Sequence, residues 1–321
     1  MPRPEAQAAE VRHVEVGPGE DGQRIDNFLL RVLKGVPRSH VYRLLRKGEV
    51  RVNGRRARAE KRLEAGDVVR LPPVRVAAEE GPRRVPDALL AEVRAAVIHE
   101  DERILALDKP SGLAAHGGSG LAFGAIEALR AERPGAELEL VHRLDRDTSG
   151  VLVIAKNRGA LRILHALLRE GAVDKSYVTL LKGKWTLGRK RIDAPLMTNL
   201  RQGGERVVKV HVEGKSAAST FKPVESFAAR ATLVEVEIHT GRTHQIRVHA
   251  AYAGHPVAGD DKYGDREFNR AMRECGLQRM FLHAHAMGFT WPDTGQKCRI
   301  VAPLPADLAA VVERLRVERG V

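Results

Sequence analysis

The stretch ELELVHRLDRDTSGVLVIAK, residues 137–156, decides the fold of this chain. Its two ends, ELELV and VLVIAK, are short, apolar and partly β-branched, which predicts two strands. The nine residues between them therefore form a loop, and the Asp-x-Ser-Gly at the end of that loop is typical of a turn. Asp145, flanked by Arg143 and Arg146, is not needed for the turn. We interpret this carboxylate as a candidate functional group.

Length, charge and composition restrict the classes of protein to consider. A chain of 321 residues has room for about two domains. The formal net charge of +13 predicts a polyanionic partner, with nucleic acid ahead of an anionic membrane surface. No apolar run approaches the roughly 18 residues that span a bilayer, and the N-terminus carries no hydrophobic signal region. The two cysteines fit a reducing compartment, so we expect a cytoplasmic protein without membrane attachment.

The N-terminal part of the chain shows a helix, helix, strand, strand pattern after a loose, aperiodic arm at residues 1–17. RIDNFLLRVL, residues 24–33, places its apolar side chains at the i, i+3, i+4 spacing of a helix with one buried face. A second helix ends at Lys47, where a basic last turn is followed by a glycine. The short apolar segments VRVNG and VVRL are predicted strands.

Basic residues are concentrated in this part of the chain. Ten Lys or Arg lie between residues 38 and 62 against two acids, a net charge of +8. The predicted RNA-contacting members are Arg38, Arg43, Arg46, Lys47, Arg51, Arg55, Arg56 and Arg58. An isolated basic run is usually a solvated face, but this run continues from the second helix into the strands. RIDNFL and RVNG resemble the S4 RNA-binding domain, and the resemblance implies phosphate contacts along a structured RNA.

A proline-rich segment separates this unit from the rest of the chain. Residues 72–90 hold four prolines and mixed charge, which is typical of a tether. We therefore expect a domain over residues 18–79, a linker over 80–90 and a second domain over 91–321. In the second domain, short apolar strands dominate after Ser176. The expected fold class is α+β, with a small helix-helix-strand-strand domain followed by a domain built on a mixed, mainly antiparallel sheet.

TGRTHQIRVH, residues 240–249, is the second dense cluster of polar residues. Interpreted as a strand, it places Arg247 on one face with Gln245 and His249, where an interior strand normally carries apolar side chains. A buried Arg247 needs an anionic partner or ligand, because an unpaired buried charge is too costly. An edge-strand arginine that points to water is an equally good interpretation of the pattern alone. Asp145 is the candidate partner.

Other catalytic constellations are weaker. Four histidines suggest a metal site, but their spacing matches no HExxH or CxxC template, so we expect no metal. These histidines are His244, His249, His283 and His285. Ser149 lacks the GxSxG elbow of a nucleophile. Asp145 and Asp147 lie two apart in one loop, from which opposite faces of a sugar are hard to reach. One carboxylate and one arginine is the simpler constellation.

Four motifs together resemble the RluA family of pseudouridine synthases. They are KPSG at 109–112, HRLDRDTSG at 142–150, KSY at 175–177 and TGRTHQIR at 240–247. Their order behind an S4 domain resembles members that act on 23S ribosomal RNA. The resemblance implies that Asp145 is the essential carboxylate and that Arg247 is its ion-pair partner. It also implies that Tyr177 lies against the target base, where it can serve in deprotonating C5, and that Arg143 fills the space left by the flipped nucleotide.

The chemistry of this reaction is compatible with these residues. Conversion of uridine to pseudouridine breaks the N1–C1′ bond, turns the base and joins C5 to C1′, which requires no cofactor. A carboxylate can stabilise the oxocarbenium character electrostatically or trap it covalently, so glycal, acylal and Michael-type pathways all remain open. The detached uracil must be kept from water, which predicts a partly apolar pocket with Leu144 and Ile246 in its wall. Base flipping is cheapest in loops or distorted stems of a structured RNA.

The expected substrate is 23S ribosomal RNA or a large-subunit assembly intermediate, modified by a monomer without an obligate protein partner. One alternative is an RluA-family enzyme with other targets, in 23S ribosomal RNA or in tRNA. A second is a non-catalytic RNA-binding assembly factor, which predicts an altered Asp145 or Arg247; neither change is seen. A third, a metal-dependent RNA hydrolase, predicts loss of activity with EDTA.

Overall fold

The computed structural model describes residues 10–33, 36, 38–74, 84–118, 121–202 and 205–319. The chain divides into two compact units, Met1–Arg84 and Val85–Val321. Both units combine helices with a sheet, and most of the described strand pairs are antiparallel. The predicted α+β class with a mixed, mainly antiparallel sheet is therefore confirmed.

The first unit has the helix-helix-strand-strand pattern expected from the sequence. Its elements are β1 (Arg12–Glu15), a 3-10 turn (Pro18–Glu20), α1 (Ile25–Val32), α2 (Arg38–Lys47), β2 (Arg51–Val52), β3 (Arg55–Arg56) and β4 (Val68–Leu71). The strands form an antiparallel sheet in the order β1-β4-β2-β3. Phe28 and Leu29 of α1 are fully buried in a core with Leu63 and Leu71, as the i, i+3, i+4 spacing predicts.

The strand β1 corrects the prediction of a loose arm over residues 1–17. Arg12 is paired with Leu71 and Glu15 with Val68, so this segment is an edge strand of the sheet. Its side chains are mostly exposed, and backbone hydrogen bonds rather than alternating apolar residues hold it. For that reason the sequence shows no periodicity there. Residues 1–9 lie outside the described residues.

The second unit is built on a large sheet that is covered by helices. Its elements are α3 (Asp87–Ala95), β5 (Val97–Glu100), β6 (Ile104–Lys109), α4 (Ala125–Glu132), β7 (Glu139–Leu140), β8 (Ser149–Ala155), α5 (Arg158–Glu170), β9 (Asp174–Lys182), β10 (Lys190–Asp193), β11 (Leu196–Gln202), β12 (Glu205–Val210), β13 (Ala218–Phe227), β14 (Ala231–Ile238), α6 (Gln245–Tyr252), α7 (Arg266–Glu274), β15 (Leu282–Thr290), β16 (Lys297–Val301) and α8 (Ala306–Arg319). In the large sheet the strands lie in the order β10-β13-β14-β9-β15-β8-β6-β5. In addition, β16 pairs with β15 and β7 pairs with β8. β11 and β12 form a separate hairpin.

The linker predicted over residues 80–90 overlaps this unit. α3 begins at Asp87, and its Val93 is fully buried in the core of the second unit. The prolines that indicated a tether also include Pro86, which directly precedes the helix, a position where proline does not disturb helical hydrogen bonds. The part of the predicted linker at residues 80–83 lies outside the described residues.

The predicted strand at TGRTHQIRVH is wrong, because Gln245–Tyr252 is the helix α6. Every residue from Gln245 to Ala250 is buried, so the helix has no exposed face to give a period of 3.6 in the sequence. The alternation of apolar and polar residues in this segment imitates a strand. The chain enters α6 through His244, whose backbone is left-handed at φ 54°. This turn separates α6 from β14.

β8 begins at Ser149, within the HRLDRDTSG motif, and is buried along its whole length. Gly150 adopts φ 109°, and a Cβ at this position would meet the carbonyl oxygen of Ala284 at 2.2 Å. Only glycine therefore allows β8 to approach β15, which it joins in a parallel pair. The Ser149 hydroxyl lies 3.0 Å from Nδ1 of His283 on the same neighbouring strand. These contacts fix the point at which the loop carrying Asp145 enters the sheet.

Candidate active site

The loop between β7 and β8 carries Asp145, and the KPSG segment at the end of β6 holds this loop. The Lys109 side chain is fully buried, and its ammonium group donates to the carbonyls of Pro110, Leu113 and Arg146 at 2.8, 2.7 and 3.0 Å. Burial lowers the pKa of Lys109 to about 7. Since Arg146 follows Asp145 in the chain, Lys109 fixes the backbone beside the carboxylate.

Arg247 of α6 faces Asp145 and is itself held by a second carboxylate. Its Nη1 donates to Asp145 Oδ2 at 3.4 Å, while Nε and Nη2 donate to the two oxygens of Asp260 at 2.7 and 2.8 Å. Burial acts to raise the pKa of Asp260, but the hydrogen bond and charge of Arg247 outweigh it and leave that pKa below its usual value. The bidentate geometry fixes the plane of the guanidinium group. Asp260 therefore determines where Arg247 meets Asp145.

A cavity of about 1030 Å³ lies beside this pair. The six residues predicted for catalysis and base flipping all line it: Arg143, Leu144, Asp145, Tyr177, Ile246 and Arg247. Leu144, Tyr177 and Ile246 are buried members of the adjoining core, so one side of the cavity is apolar. Burial, followed by the charge of Asp145, raises the pKa of the Tyr177 phenol. Tyr177 is therefore a neutral phenol at physiological pH.

Two cations lie at the wall of the same cavity. Arg143 is exposed, and its Nη1 donates to Nε2 of His116 at 3.2 Å. His116 Nδ1 donates in turn to the carbonyl of Gly117 at 2.6 Å, which leaves Nε2 as the acceptor. Lys175, two residues before Tyr177 on β9, is half-buried and has no ion-pair partner within the described parts of the chain. Both groups are available to a polyanionic ligand.

Sequence comparisons assign the family. Residues 103–252 match the RNA pseudouridylate synthase family, and residues 23–69 match the S4 domain. The chain is 55% identical over 316 residues to the ribosomal large subunit pseudouridine synthase C of Escherichia coli (strain K12), and the match covers 96% of this chain and 98% of that protein. The chain belongs to the RluA-type RNA pseudouridine synthases. The resemblance of its motifs to this family, and of its first unit to the S4 domain, is confirmed, and the synthase is an isomerase.

Further comparisons give the same assignment. The synthase is 55% identical over 313 residues to the ribosomal large subunit pseudouridine synthase C of Salmonella typhi, with 95% of this chain and 97% of that protein covered. Its fold is similar to that of human RNA pseudouridylate synthase domain containing 4, with a TM-score of 0.58 and 24% identity. That match covers 71% of this chain and 96% of the human chain. An RNA substrate follows from the family and from the S4 domain.

The S4 domain of the synthase presents a basic surface. Its exposed members are Arg43, Arg46, Lys47, Arg51, Arg55, Arg56 and Arg58. Arg51 and Arg56 are directly opposite each other on β2 and β3, and the Arg56 side chain covers Gly48 at the end of α2. Like charges in opposed positions destabilise a sheet unless an anion lies between them. The side chain of Arg38 lies outside the described part of the structure.

The other constellations considered for this chain are occupied by structural contacts. Across the described residues, no group of three or more His, Cys, Asp or Glu side chains could hold a metal ion. His249 contacts Ser219 Oγ at 3.1 Å and the carbonyl of Ala194 at 2.9 Å inside the core. Ser149 is buried and bound to His283, so no substrate reaches its hydroxyl. Nor does any described helix of the synthase have both the length and the apolar character to cross a membrane.

Some residues of the synthase site were not singled out from the sequence. Asp260 was missed, although AGDDKYG, residues 258–264, has the glycine and acidic composition of a turn that accepts backbone hydrogen bonds. In the structure, Asp260 accepts hydrogen bonds from the backbone N–H groups of Lys262 and Tyr263. Lys109 belongs to the KPSG motif, but the sequence does not predict that it holds the loop of Asp145. No signal in a single sequence connects either residue to Asp145, because the contacts join distant segments.

Proposed function

We propose that this synthase converts specific uridines of 23S ribosomal RNA to pseudouridine, with Asp145 acting at C1′ of the target nucleotide. The observation that carries the proposal is the Asp145–Arg247 pair, with Nη1 3.4 Å from Oδ2, in the wall of a cavity of about 1030 Å³. It occurs in a chain that is 55% identical to ribosomal large subunit pseudouridine synthase C. That relative is named for the large ribosomal subunit, and we propose the 23S RNA of this subunit as the substrate.

The reaction places two demands on the carboxylate. Asp145 must be ionised when the N1–C1′ bond breaks, and it must lie on the side of the sugar where positive character develops. Arg247 favours the ionised form of Asp145 and also orients it, because this cation is anchored by Asp260 and lies 3.4 Å from Asp145. Lys109 helps to position Asp145, because it donates a hydrogen bond to the backbone of the same loop. The glycal, acylal and Michael-type pathways all use this same carboxylate.

The detached uracil is retained and turned within the cavity. Leu144, Ile246 and Tyr177 supply a buried apolar wall against which the base can lie while water is excluded. A neutral phenol at Tyr177 can stack on the ring, but it could accept the C5 proton only after losing its own, and burial makes that phenolate costly. We propose that Arg143, exposed at the wall of the cavity, fills the gap that the flipped nucleotide leaves in the RNA.

The wider setting follows from the same substrate. The basic surface of the S4 domain would hold a structured region of 23S ribosomal RNA, free or in a large-subunit assembly intermediate. We propose that the synthase acts as a monomer without an obligate protein partner. A ribosomal RNA substrate would place this activity in the cytoplasm.

Pseudouridine mapping by carbodiimide modification and primer extension tests the proposal. An unmodified 23S transcript is incubated with the wild-type protein, with Asp145→Asn, and with the matched control Asp147→Asn. Asp147 lies two residues away in the same loop, and its side chain is 50% exposed. We expect new stops with the wild type and the control, and none with Asp145→Asn, because an amide cannot supply the negative charge. The positions of the stops name the target uridines.

Three results would contradict the proposal in whole or in part. Stops of equal strength with Asp145→Asn would remove Asp145 from the chemistry. Tight RNA binding without stops, on both the transcript and ribosomal precursor particles, would favour a non-catalytic assembly factor. Stops on tRNA alone would support the pseudouridine reaction but contradict 23S ribosomal RNA as the substrate.

A further inference from the structure

His244 lies between Asp145 and the half-buried Tyr263, and the chemistry proposed for Asp145 gives His244 no role. Its Nε2 is 3.8 Å from Asp145 Oδ2, and its Nδ1 is 2.8 Å from the hydroxyl oxygen of Tyr263. The His244 side chain is 19% exposed and lines the cavity. Its backbone is left-handed, at φ 54° and ψ 20°, which is uncommon for a residue other than glycine. A conformation of this kind persists only where the surroundings hold it.

The hydrogen bonds around Tyr263 determine which nitrogen of His244 carries the proton. The backbone N–H of Val208 donates to the Tyr263 hydroxyl oxygen at 3.0 Å. The hydroxyl oxygen accepts from Val208, and among the described residues Nδ1 of His244 is the one acceptor within reach of the hydroxyl proton, so we assign Tyr263 as the donor to Nδ1. With Nδ1 accepting, a neutral His244 carries its own proton on Nε2. That N–H is the group that faces Asp145.

Both polar neighbours of Asp145 converge on the same carboxylate oxygen. Arg247 Nη1 and His244 Nε2 lie 3.4 and 3.8 Å from Oδ2. No donor contacts Oδ1 of Asp145 among the residues that the structure describes. Distances of this length are typical of an active site without substrate, which tightens when substrate binds. Two donors on Oδ2 would fix the rotation of the carboxylate about its Cβ–Cγ bond and leave Oδ1 for the substrate.

We infer that Tyr263 and His244 form a positioning relay that holds Oδ2 of Asp145, so that Oδ1 is presented to C1′ of the target uridine. The inference rests on the proposed function, because it assumes that Asp145 acts at C1′. His244 and Tyr263 are positioning residues rather than catalytic ones. Tyr263 has a second contact in the site, since the guanidinium carbon of Arg247 lies 5.1 Å from the centre of its ring.

Three variants separate positioning from packing. His244→Leu removes the N–H that faces Asp145, while His244→Gln keeps a neutral donor at about the reach of Nε2. Tyr263→Phe removes the hydroxyl and keeps the ring that packs on Arg247. The control is His99→Leu, because His99 also pairs with a carboxylate, Asp101 at 3.2 Å, but does not line the cavity. Thermal unfolding of each variant checks that it is folded.

The readouts are the single-turnover rate with saturating protein on the 23S transcript and the Kd for the same RNA. For His244→Leu we expect the rate to fall about tenfold to a hundredfold with Kd within about twofold of wild type, since a small displacement of a reacting group has effects of this size. Tyr263→Phe should lose about tenfold, and His244→Gln should recover most of the rate. The double variant His244→Leu/Tyr263→Phe should be no slower than His244→Leu, because the two residues act through one path.

Other outcomes overturn the relay. Equal losses in His244→Leu and His244→Gln, additive losses in the double variant, or a loss confined to Kd would each show that the N–H of His244 does not position Asp145. Wild-type rates in all three variants would do the same. Failure of the proposed function is distinguishable, because in that case the wild type makes no pseudouridine or Asp145→Asn remains active.

Discussion

Asp260 is a residue whose importance depends on its burial and not on any contact with substrate. Its carboxylate is 0% exposed and binds both Nε and Nη2 of Arg247. Two backbone N–H groups also donate to Oδ1, so the acid is held from several directions. A buried ion pair of this geometry contributes little net stability, but removal of one partner leaves a charge without compensation. Arg247 would then lose the contact that aims it at Asp145.

We predict that Asp260→Asn lowers both stability and activity. The free energy of unfolding should fall by about 3 kcal/mol, because the buried guanidinium loses its closest carboxylate and keeps only Asp145, at 3.4 Å. The single-turnover rate on the RNA substrate should fall at least about tenfold as Arg247 moves relative to Asp145. Urea unfolding and single-turnover assays measure the two effects.

Asp261→Asn is the matched control, since the neighbouring Asp261 is exposed. It should leave both quantities near their wild-type values. Equal effects in the two variants would contradict a specific role for Asp260. A fully active Asp260→Asn protein would show that Asp145 does not depend on the placement of Arg247.

Among the structural elements, β2, β3 and the end of α2 bring like charges together in the first unit. Arg51 and Arg56 are register partners on adjacent strands, and Arg56 also packs over Gly48. Without a polyanion these guanidinium groups repel one another. The arrangement is therefore expected to serve binding at some cost to the stability of the isolated domain.

We predict that the double variant Arg51→Gln/Arg56→Gln binds RNA with a weaker dependence on salt. The slope of log K against log salt concentration should decrease by about 1 to 2, because one or two phosphate contacts are lost. The control is Arg31→Gln, since Arg31 lies on α1 and is paired with Glu20. Filter binding over a range of KCl concentrations measures the slope. An unchanged slope in the double variant would place the RNA on another surface.

The same elements show what a single sequence could and could not predict. The helices α1 and α2 were predictable, because α1 has one apolar face at helical spacing and α2 ends with a basic last turn at Lys47, before a glycine. The helix α6 was not predictable, because burial on all sides removes the 3.6-residue period of apolar side chains. Asp145 and Arg247 could be paired through their motifs. Asp260 could not, because its partner is revealed only when α6 and the turn after it are folded together.

At the scale of the whole molecule, two histidines with lowered pKa values make stability depend on pH. Burial lowers the pKa of His142 and of His283 to about 4. In the unfolded chain both groups have a pKa of about 6.5, so between these values the unfolded state binds more protons than the folded state. The free energy of unfolding therefore decreases as the pH falls from 6.5 towards 4.

We predict that each of these histidines lowers the free energy of unfolding by about 1.5 kcal/mol between pH 6.5 and pH 5. His142→Gln should reduce the loss by about that amount, because Gln keeps an acceptor for the N–H of Val153 and does not titrate. Urea unfolding followed by tryptophan fluorescence is suitable, since Trp185 and Trp291 are both buried in the second unit. The control His99→Gln replaces a histidine whose side chain is 37% exposed. If the free energy of unfolding fell equally with pH in the wild type and in His142→Gln, His142 would not be a source of the pH dependence.

The central place of β15 in the large sheet affects how the protein is made. β15 pairs with β8 on one side and β9 on the other, although both strands precede it by a long stretch of chain. During synthesis the chain leaves the ribosome from its N-terminus, so β8 and β9 must wait for the strand that joins them. The loop with Asp145 has no fixed position until then. A polypeptide that ends before β15 is therefore expected to lack synthase activity.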